Sequence, residues 1–201
     1  MNKKTRLPLL FVSTLLLASC SGVMDSAQPA KQYYMLSPLS GGAGTGGTAQ
    51  GPELSLAVSA VPGLDSDRVQ ALSGDARLNY YANARWPDHL PEVLTSVIKR
   101  SLSASGQFSG VTQGNRVRSD GWLLQLEVQQ FYGLRDAAGA TSSVSVEMAG
   151  MIECEGRRDT FTLSDSNTVT NERLSAVVAA HQQGLDEVTR QLLNQIDETC
   201  S

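Results

Sequence analysis

Two long stretches of alternating polarity, joined by a short turn, constrain the fold of this chain more than any other feature. Residues 122–132 and residues 144–154 each place apolar side chains at every second position and polar ones between them. A period of two is typical of a strand with one buried face. The turn at 136–139 then predicts an antiparallel hairpin, and residues 160–163 are expected to add a third strand.

Two other segments carry apolar residues at helical spacing. The first spans about 88–105, with Asp88 as the predicted N-cap, Pro91 in the first turn and Gly106 at the end. The second spans about 171–199, and its apolar stripe consists of Leu174, Val178, His181, Leu185, Val188, Leu192 and Ile196. Because each helix has one apolar face, we expect both to pack on the sheet. The predicted fold is a single α+β domain, with a mostly antiparallel sheet packed by two main helices.

Shorter strands are predicted in the first half of the chain. Residues 32–36 are rich in strand-forming side chains, and residues 54–61 alternate until Pro62 ends them. Residues 68–72 and 77–81 could pair as a hairpin, and residues 108–111 form a further candidate strand.

The N-terminus carries the pattern of a bacterial lipoprotein. Positive charges precede an apolar run at 7–17 that is too short to span a bilayer. Leu17-Ala18-Ser19-Cys20 then resembles a lipobox, which predicts that residues 1–19 are removed and that Cys20 carries diacylglycerol and palmitate chains. An ordinary secretory cleavage site with a chance cysteine is the alternative. Residues 20–31 are the expected tether, and residues 32–201 the domain.

The residue after Cys20 favours one of the two membranes. Ser21 stands there rather than Asp, which resembles lipoproteins that are sent to the outer membrane. We therefore expect a lipid anchor on the periplasmic face of the outer membrane, with retention at the inner membrane as the alternative.

Charge and cysteine content narrow the function further. The formal net charge of -4 becomes more negative when the basic signal segment is lost, which argues against nucleic-acid binding.

Acylation of Cys20 leaves two other cysteines, Cys154 and Cys200, both on predicted buried faces. In an oxidising periplasm this pair is a candidate disulfide, and two unpaired buried thiols are the alternative.

The sequence contains no pattern that predicts catalysis. Residues 41–51 match G-x-G-x-x-G by letter, but no helix follows them, so we interpret them as a flexible loop. The two histidines, His89 and His181, belong to no zinc motif, and His181 lies on an apolar stripe. Three carboxylates of the predicted sheet share one solvated face: Glu147, Glu153 and Glu155. These observations favour a protein that is not an enzyme and that holds no cofactor or metal.

Several motifs together resemble one family, the ABC-type transport auxiliary lipoproteins, which include the PqiC-like lipoproteins. The resemblance rests on the lipobox, on Tyr33-Tyr34-Met35-Leu36-Ser37-Pro38, on Arg85-Trp86 followed by Leu90-Pro91, and on Gly106-Gln107-Phe108. The Gly-rich insert at 41–51 and Val61-Pro62-Gly63-Leu64 depart from the family pattern.

The resemblance implies a membrane-anchored periplasmic docking or assembly partner of an ABC/MCE-type intermembrane lipid transport system. Its expected partners are the membrane and an MCE-domain protein, and a homo-oligomer is left open. A lipoprotein that activates a cell-wall synthase or assists envelope assembly is the alternative, and direct lipid carriage is a weaker one. Aromatic residues dominate binding hot spots, which makes Tyr80, Tyr81 and Trp86 candidate partner contacts, with burial in the core as the competing role of Trp86.

Overall fold

The computed structural model describes residues 30–39, 51–116, 121–171 and 173–200. In chain order the elements are β1 (Gln32–Tyr33), β2 (Glu53–Ala60), β3 (Arg68–Ser73), β4 (Leu78–Arg85), α1 (Leu90–Ala104), β5 (Gly110–Gln113), β6 (Trp122–Arg135), β7 (Thr141–Cys154), β8 (Arg157–Thr168) and α2 (Leu174–Cys200). Residues 1–29 and 40–50, which include Cys20 and nearly all of the Gly-rich segment, lie outside the described residues, so the predictions made on them stay predictions.

The long strand β6 organises the sheet. Along one edge it pairs with β7 over nearly its whole length in antiparallel register, and β7 pairs in the same direction with β8. The other edge is shared: β2 runs parallel to residues 122–128, and β3 runs parallel to residues 133–135. Beyond them, β5 extends β2, and β4 and then β1 extend β3. The sheet is therefore mixed.

The turns of the β6–β7–β8 meander use residues that tolerate a positive φ. Gly139 lies between β6 and β7 with φ 87°, and the two-residue turn between β7 and β8 consists of Glu155 (φ 51°) and Gly156 (φ 77°). Two successive positive φ values are typical of the type I′ turn, whose twist suits a hairpin. The predicted meander is confirmed, and its third strand is longer than expected.

Both helices cover the same face of the sheet and enclose one core. α1 packs on β2 and β5, whereas α2 packs on β7 and β8. Apolar side chains from every second position of the strands meet the two helical stripes, including Leu54, Leu56, Leu124, Val144, Val146, Met148 and Ile152. α2 lies close against the sheet at Gly184, where a β-carbon would lie 2.8 Å from a methyl group of Val146. The predicted single α+β domain with two main helices is confirmed.

The structure corrects the predicted start of the first helix. Residue His89, not Asp88, occupies the N-cap of α1, and no side chain caps the helix there. Asp88 instead accepts a hydrogen bond from the backbone N–H of His89 at 2.7 Å. Pro91 lies in the first turn as expected, and Gly106 follows the helix with φ 76°, a conformation that glycine adopts without steric cost.

Several strand boundaries also differ from the prediction. β1 ends at Tyr33, because the chain then leaves the sheet edge and crosses the helices. β5 begins at Gly110, and Phe108 before it is buried in the core. β3 and β4 form the expected hairpin, but β4 continues to Arg85. Within the described residues, no helix is both long and apolar enough to cross a membrane.

Candidate functional site

Three rings meet where the two halves of the sheet join. The ring centroids of Trp86 and Phe131 lie 5.8 Å apart, and those of Phe131 and His181 lie 4.8 Å apart. Trp86 also contacts the His181 ring edge-on at 5.6 Å. Because Trp86 follows β4, Phe131 belongs to β6 and His181 belongs to α2, this cluster packs three distant parts of the chain together.

The environment of His181 holds its ring neutral. Nδ1 lies 2.9 Å from the Val177 carbonyl oxygen, which can only accept, so Nδ1 carries the proton. Nε2 approaches the Phe131 backbone but makes no hydrogen bond of normal geometry. Burial lowers the pKa of His181 to about 4, and the hydrogen bond to Val177 acts in the opposite direction with a smaller effect. A fully buried neutral ring without reactive neighbours suits packing rather than acid–base chemistry.

The three aromatic residues proposed as partner contacts have different surroundings. Trp86 is only 1% exposed, which removes it from the candidate contacts and assigns it to the core. Tyr81 is half-buried, its hydroxyl is hydrogen-bonded to Thr141, and its ring lies 5.3 Å from the guanidinium carbon of Arg135. Tyr80 is 51% exposed and supports the Arg68 guanidinium at 3.9 Å. Of the three, Tyr80 offers the most surface to a partner.

The segment after β1 is fixed across both helices. The Ser37 backbone exchanges two hydrogen bonds with the Gln182 side chain of α2, at 2.8 and 3.0 Å. The backbone N–H of Leu39 donates to the Ser101 hydroxyl of α1 at 2.9 Å. Leu36, which precedes Ser37, is buried. The sequence predicted residues 32–36 as one strand and gave no sign of this attachment, because residues 33–36 form a continuous apolar run without alternation.

The two cysteines lie at the junction of β7 and α2. In the structure Cys154 and Cys200 are joined by a disulfide, with Cα atoms 5.9 Å apart. That separation falls within the usual range for a disulfide. The bond would connect the last turn of α2 to the strand on which the helix packs.

The carboxylates and the second histidine of the described residues are engaged in separate contacts. Glu147 accepts a hydrogen bond from Gln130 at 2.9 Å, and Glu153 pairs with Arg158 at 2.7 Å. His89 is exposed, and its hydrogen bond with Asp65 raises the pKa of its ring. The described part of the chain contains no group of three or more side chains arranged to hold a metal ion.

On the face of the sheet opposite the helices, the middle of β2 and of β6 carries small and polar side chains. A shallow groove of about 490 Å³ crosses β2, β6 and β7 there. Ala57, Ser59, Gln125 and Glu127 contribute to its lining, together with Met151. Such a surface suits contact with a protein better than enclosure of a lipid chain, which requires an apolar cavity.

Comparison with known proteins identifies the family. The family model described as the ABC-type transport auxiliary lipoprotein component matches residues 34–193. The chain belongs to this family. The match includes α1, most of α2 and the whole β6–β8 meander, so the architecture above is the auxiliary lipoprotein domain.

Solved structures share the fold of this auxiliary lipoprotein domain. A crystal structure of an uncharacterized protein is 17% identical, covers 83% of this chain and 99% of its own, and superposes with a TM-score of 0.68. A protein from Xanthomonas campestris of the family DUF330 is 22% identical, covers 84% of this chain and 96% of its own, and gives a TM-score of 0.66. No curated protein matches the sequence significantly. Family membership implies a role as an accessory lipoprotein of an ABC transport system, with partner proteins and an envelope location.

Proposed function

We propose that this auxiliary lipoprotein is a periplasmic docking or assembly partner of an ABC/MCE-type intermembrane lipid transport system. Diacylglycerol and palmitate chains on Cys20 would hold the domain at the outer membrane, and residues 20–31 would connect the anchor to it. The family match over residues 34–193 is the observation that carries this proposal. The domain would contribute binding rather than catalysis, which fits the buried neutral ring of His181 and the dispersed carboxylates.

Anchoring strengthens a docking role without tight binding by the domain itself. A tethered domain stays in a thin layer beside the membrane, so its effective concentration for a partner that reaches this layer is high. We propose the exposed ring of Tyr80 as one contact with an MCE-domain protein, because aromatic side chains dominate interface energetics.

The first experiment tests the anchor and the partner together. The acylated protein would be captured from detergent-solubilised envelopes after cross-linking, and its partners would be identified by mass spectrometry. We expect an MCE-domain protein, whereas recovery of a penicillin-binding protein instead would support the cell-wall alternative. The Cys20→Ala variant should leave the membrane fraction and lose the cross-link.

A matched pair of variants tests the contact at Tyr80. Tyr80→Ala should reduce cross-linking to the MCE-domain protein while leaving the far-UV circular dichroism unchanged, since the ring is half exposed. Leu78→Ala changes a neighbouring exposed side chain on the same strand and serves as the control. Equal cross-linking by wild type and Tyr80→Ala would remove this contact from the proposal.

A further inference from the structure

Two large apolar side chains at the start of the domain are exposed. Tyr33 is 60% exposed and Met35 is 70% exposed, the two largest values among the exposed large hydrophobic residues that the structure describes. Exposed apolar surface is costly in water, and clustered instances mark sites of interaction.

The exposure of these side chains is imposed by a rigid backbone. The backbone N–H of Tyr34 donates to the Arg85 carbonyl at 2.9 Å, which extends the pairing of β1 with β4. Leu36, the next residue of the same parity, is buried, and Ser37 is held by Gln182. Since side chains alternate along an extended chain, fixing Tyr34 and Leu36 towards the protein directs Tyr33 and Met35 outwards.

The position of Tyr33 and Met35 in the chain indicates which surface they contact. Gln32, at the start of β1, follows the proposed acylation site by only twelve positions. A chain of that length reaches at most about 40 Å. The first residues of the domain are therefore the part of it that is covalently held nearest to the lipid.

Acidic and basic side chains are balanced around Met35. A groove of about 260 Å³ beside Met35 is lined by Asp88 and Glu92 on one hand and by Arg100 on the other. Lys31, which is exposed, precedes β1. Mixed charge of this kind disfavours a strongly anionic surface and suits zwitterionic headgroups. Tyrosine in addition prefers the boundary between headgroups and acyl chains, because its ring is apolar and its hydroxyl is polar.

We propose that Tyr33 and Met35 make a second, non-covalent contact with the phospholipid surface to which Cys20 is anchored. The contact orients the domain, with β1 against the bilayer. This inference rests on the lipid anchor of the proposed function. It adds a defined orientation, which a tether alone does not provide.

The test uses the full acylated protein in vesicles of phosphatidylethanolamine with a minor fraction of phosphatidylglycerol. An environment-sensitive fluorophore is attached through Met35→Cys, and in a matched control through Leu78→Cys. Leu78 is also exposed. It lies on β4 six residues before Ala84, which pairs with Gln32, and six strand residues span about 20 Å. Flotation of the vesicles is measured first, and quenching by nitroxide-labelled lipids second.

We expect position 35 to lose about half of its emission or more, because interfacial side chains lie roughly 5–10 Å into the headgroup and acyl boundary, near the quencher. Position 78 should stay unquenched. In the labelled Met35→Cys protein, Tyr33→Glu should reduce the quenching, whereas Tyr33→Phe should preserve it. Unchanged circular dichroism would show that the exposed substitution leaves the fold intact.

Three results would overturn the inference, and they are distinguishable. A protein that floats with the vesicles but shows equal, weak quenching at positions 35 and 78 keeps its anchor and loses the second contact. If the protein does not float with the vesicles, the lipid anchor is absent, and the second contact that depends on it is contradicted as well. High emission at position 35 without vesicles would show that another copy of the chain, not lipid, covers Met35.

Discussion

The two sides of β6 are built in different ways. On one side β7 and β8 follow β6 directly in sequence, and they are long antiparallel strands of 14 and 12 residues. On the other side β2 and β3 are strands of 8 and 6 residues that run parallel to β6 and come from much earlier in the chain. We call these the meander side and the split side. Antiparallel neighbours need only a short turn, whereas parallel pairing must close a long loop first.

The meander side and the split side depend on each other at β6 and at the ring cluster. The meander side has local pairings, a long helix and a disulfide to that helix. The split side is fixed to it through β6 and through the ring cluster of Trp86, Phe131 and His181. We therefore expect substitutions at the cluster to affect the whole domain, and substitutions within one side to have smaller effects.

The largest effect is expected from Trp86→Ala. Removing a buried Trp from the junction leaves a cavity, and such substitutions cost about 3–5 kcal/mol of unfolding free energy. Urea unfolding followed by circular dichroism measures the loss. Tyr80→Ala, which removes a half-exposed ring from the strand that precedes Trp86, is the control and should cost much less. Equal losses for the two variants would contradict the central role of the cluster.

Loss of the Cys154–Cys200 bond is the next largest. The cysteines are 46 residues apart, for which the chain-entropy model gives about 4 kcal/mol, less any strain in the folded state. The prediction is that reductant lowers the urea midpoint of the wild type. A double variant, Cys154→Ala with Cys200→Ala, should not respond to reductant. Free thiols in protein purified from the periplasm would show that the bond does not form there.

A third prediction concerns pH and His181. Because burial lowers the pKa of His181 to about 4 from 6.5, the unfolded chain takes up the proton first as the pH falls. Stability contributed by the neutral ring is complete above pH 6.5 and declines as the pH falls towards 4. Between pH 7 and pH 5 we expect a loss of about 2 kcal/mol.

The variant His181→Met isolates this contribution. It keeps an apolar side chain of similar volume and removes the titrating group, so its stability should change less between pH 7 and pH 5. The difference between the two pH slopes, measured by urea unfolding, is the quantity of interest. Identical slopes would mean that other groups cause the pH dependence.

The smallest expected change in stability comes from glycine substitutions, one on the meander side and one on the split side. Gly184→Ala on the meander side would press a methyl group against Val146, and this crowding outweighs the gain in helix propensity by about 1 kcal/mol. Gly110→Ala on the split side meets open space and should leave stability unchanged or slightly raised. Thermal unfolding of both variants provides the comparison, and a stabilised Gly184→Ala would show that α2 can shift on the sheet.

Sequence reasoning predicted the meander side better than the split side. The alternation at 122–132 and 144–154 reports directly on one buried face, and a short turn leaves one way to pair them. The β3–β4 hairpin was found for the same reason. Parallel pairing of β2 with β6 could not be predicted, because a strand pattern shows which face is buried but not which distant strand lies beside it.

The sequence likewise did not show which of the proposed partner contacts are exposed. Trp86 and Tyr80 were both aromatic candidates, and only the packed structure shows that one is in the core and the other on the surface. Tyr33 and Met35 lay within a predicted strand, but their exposure depends on where Leu36 and Ser37 attach to the helices.

Local periodicity in the sequence determined the helices, the strands of the meander and the single α+β domain, because each pattern acts over neighbouring residues. The tertiary structure alone decided that β2 and β3 share one edge of β6, that Trp86 closes the core, and that Tyr33 and Met35 remain outside it. These outcomes depend on contacts between residues far apart in the chain, and the free energy of such contacts is set by the packing of the whole domain.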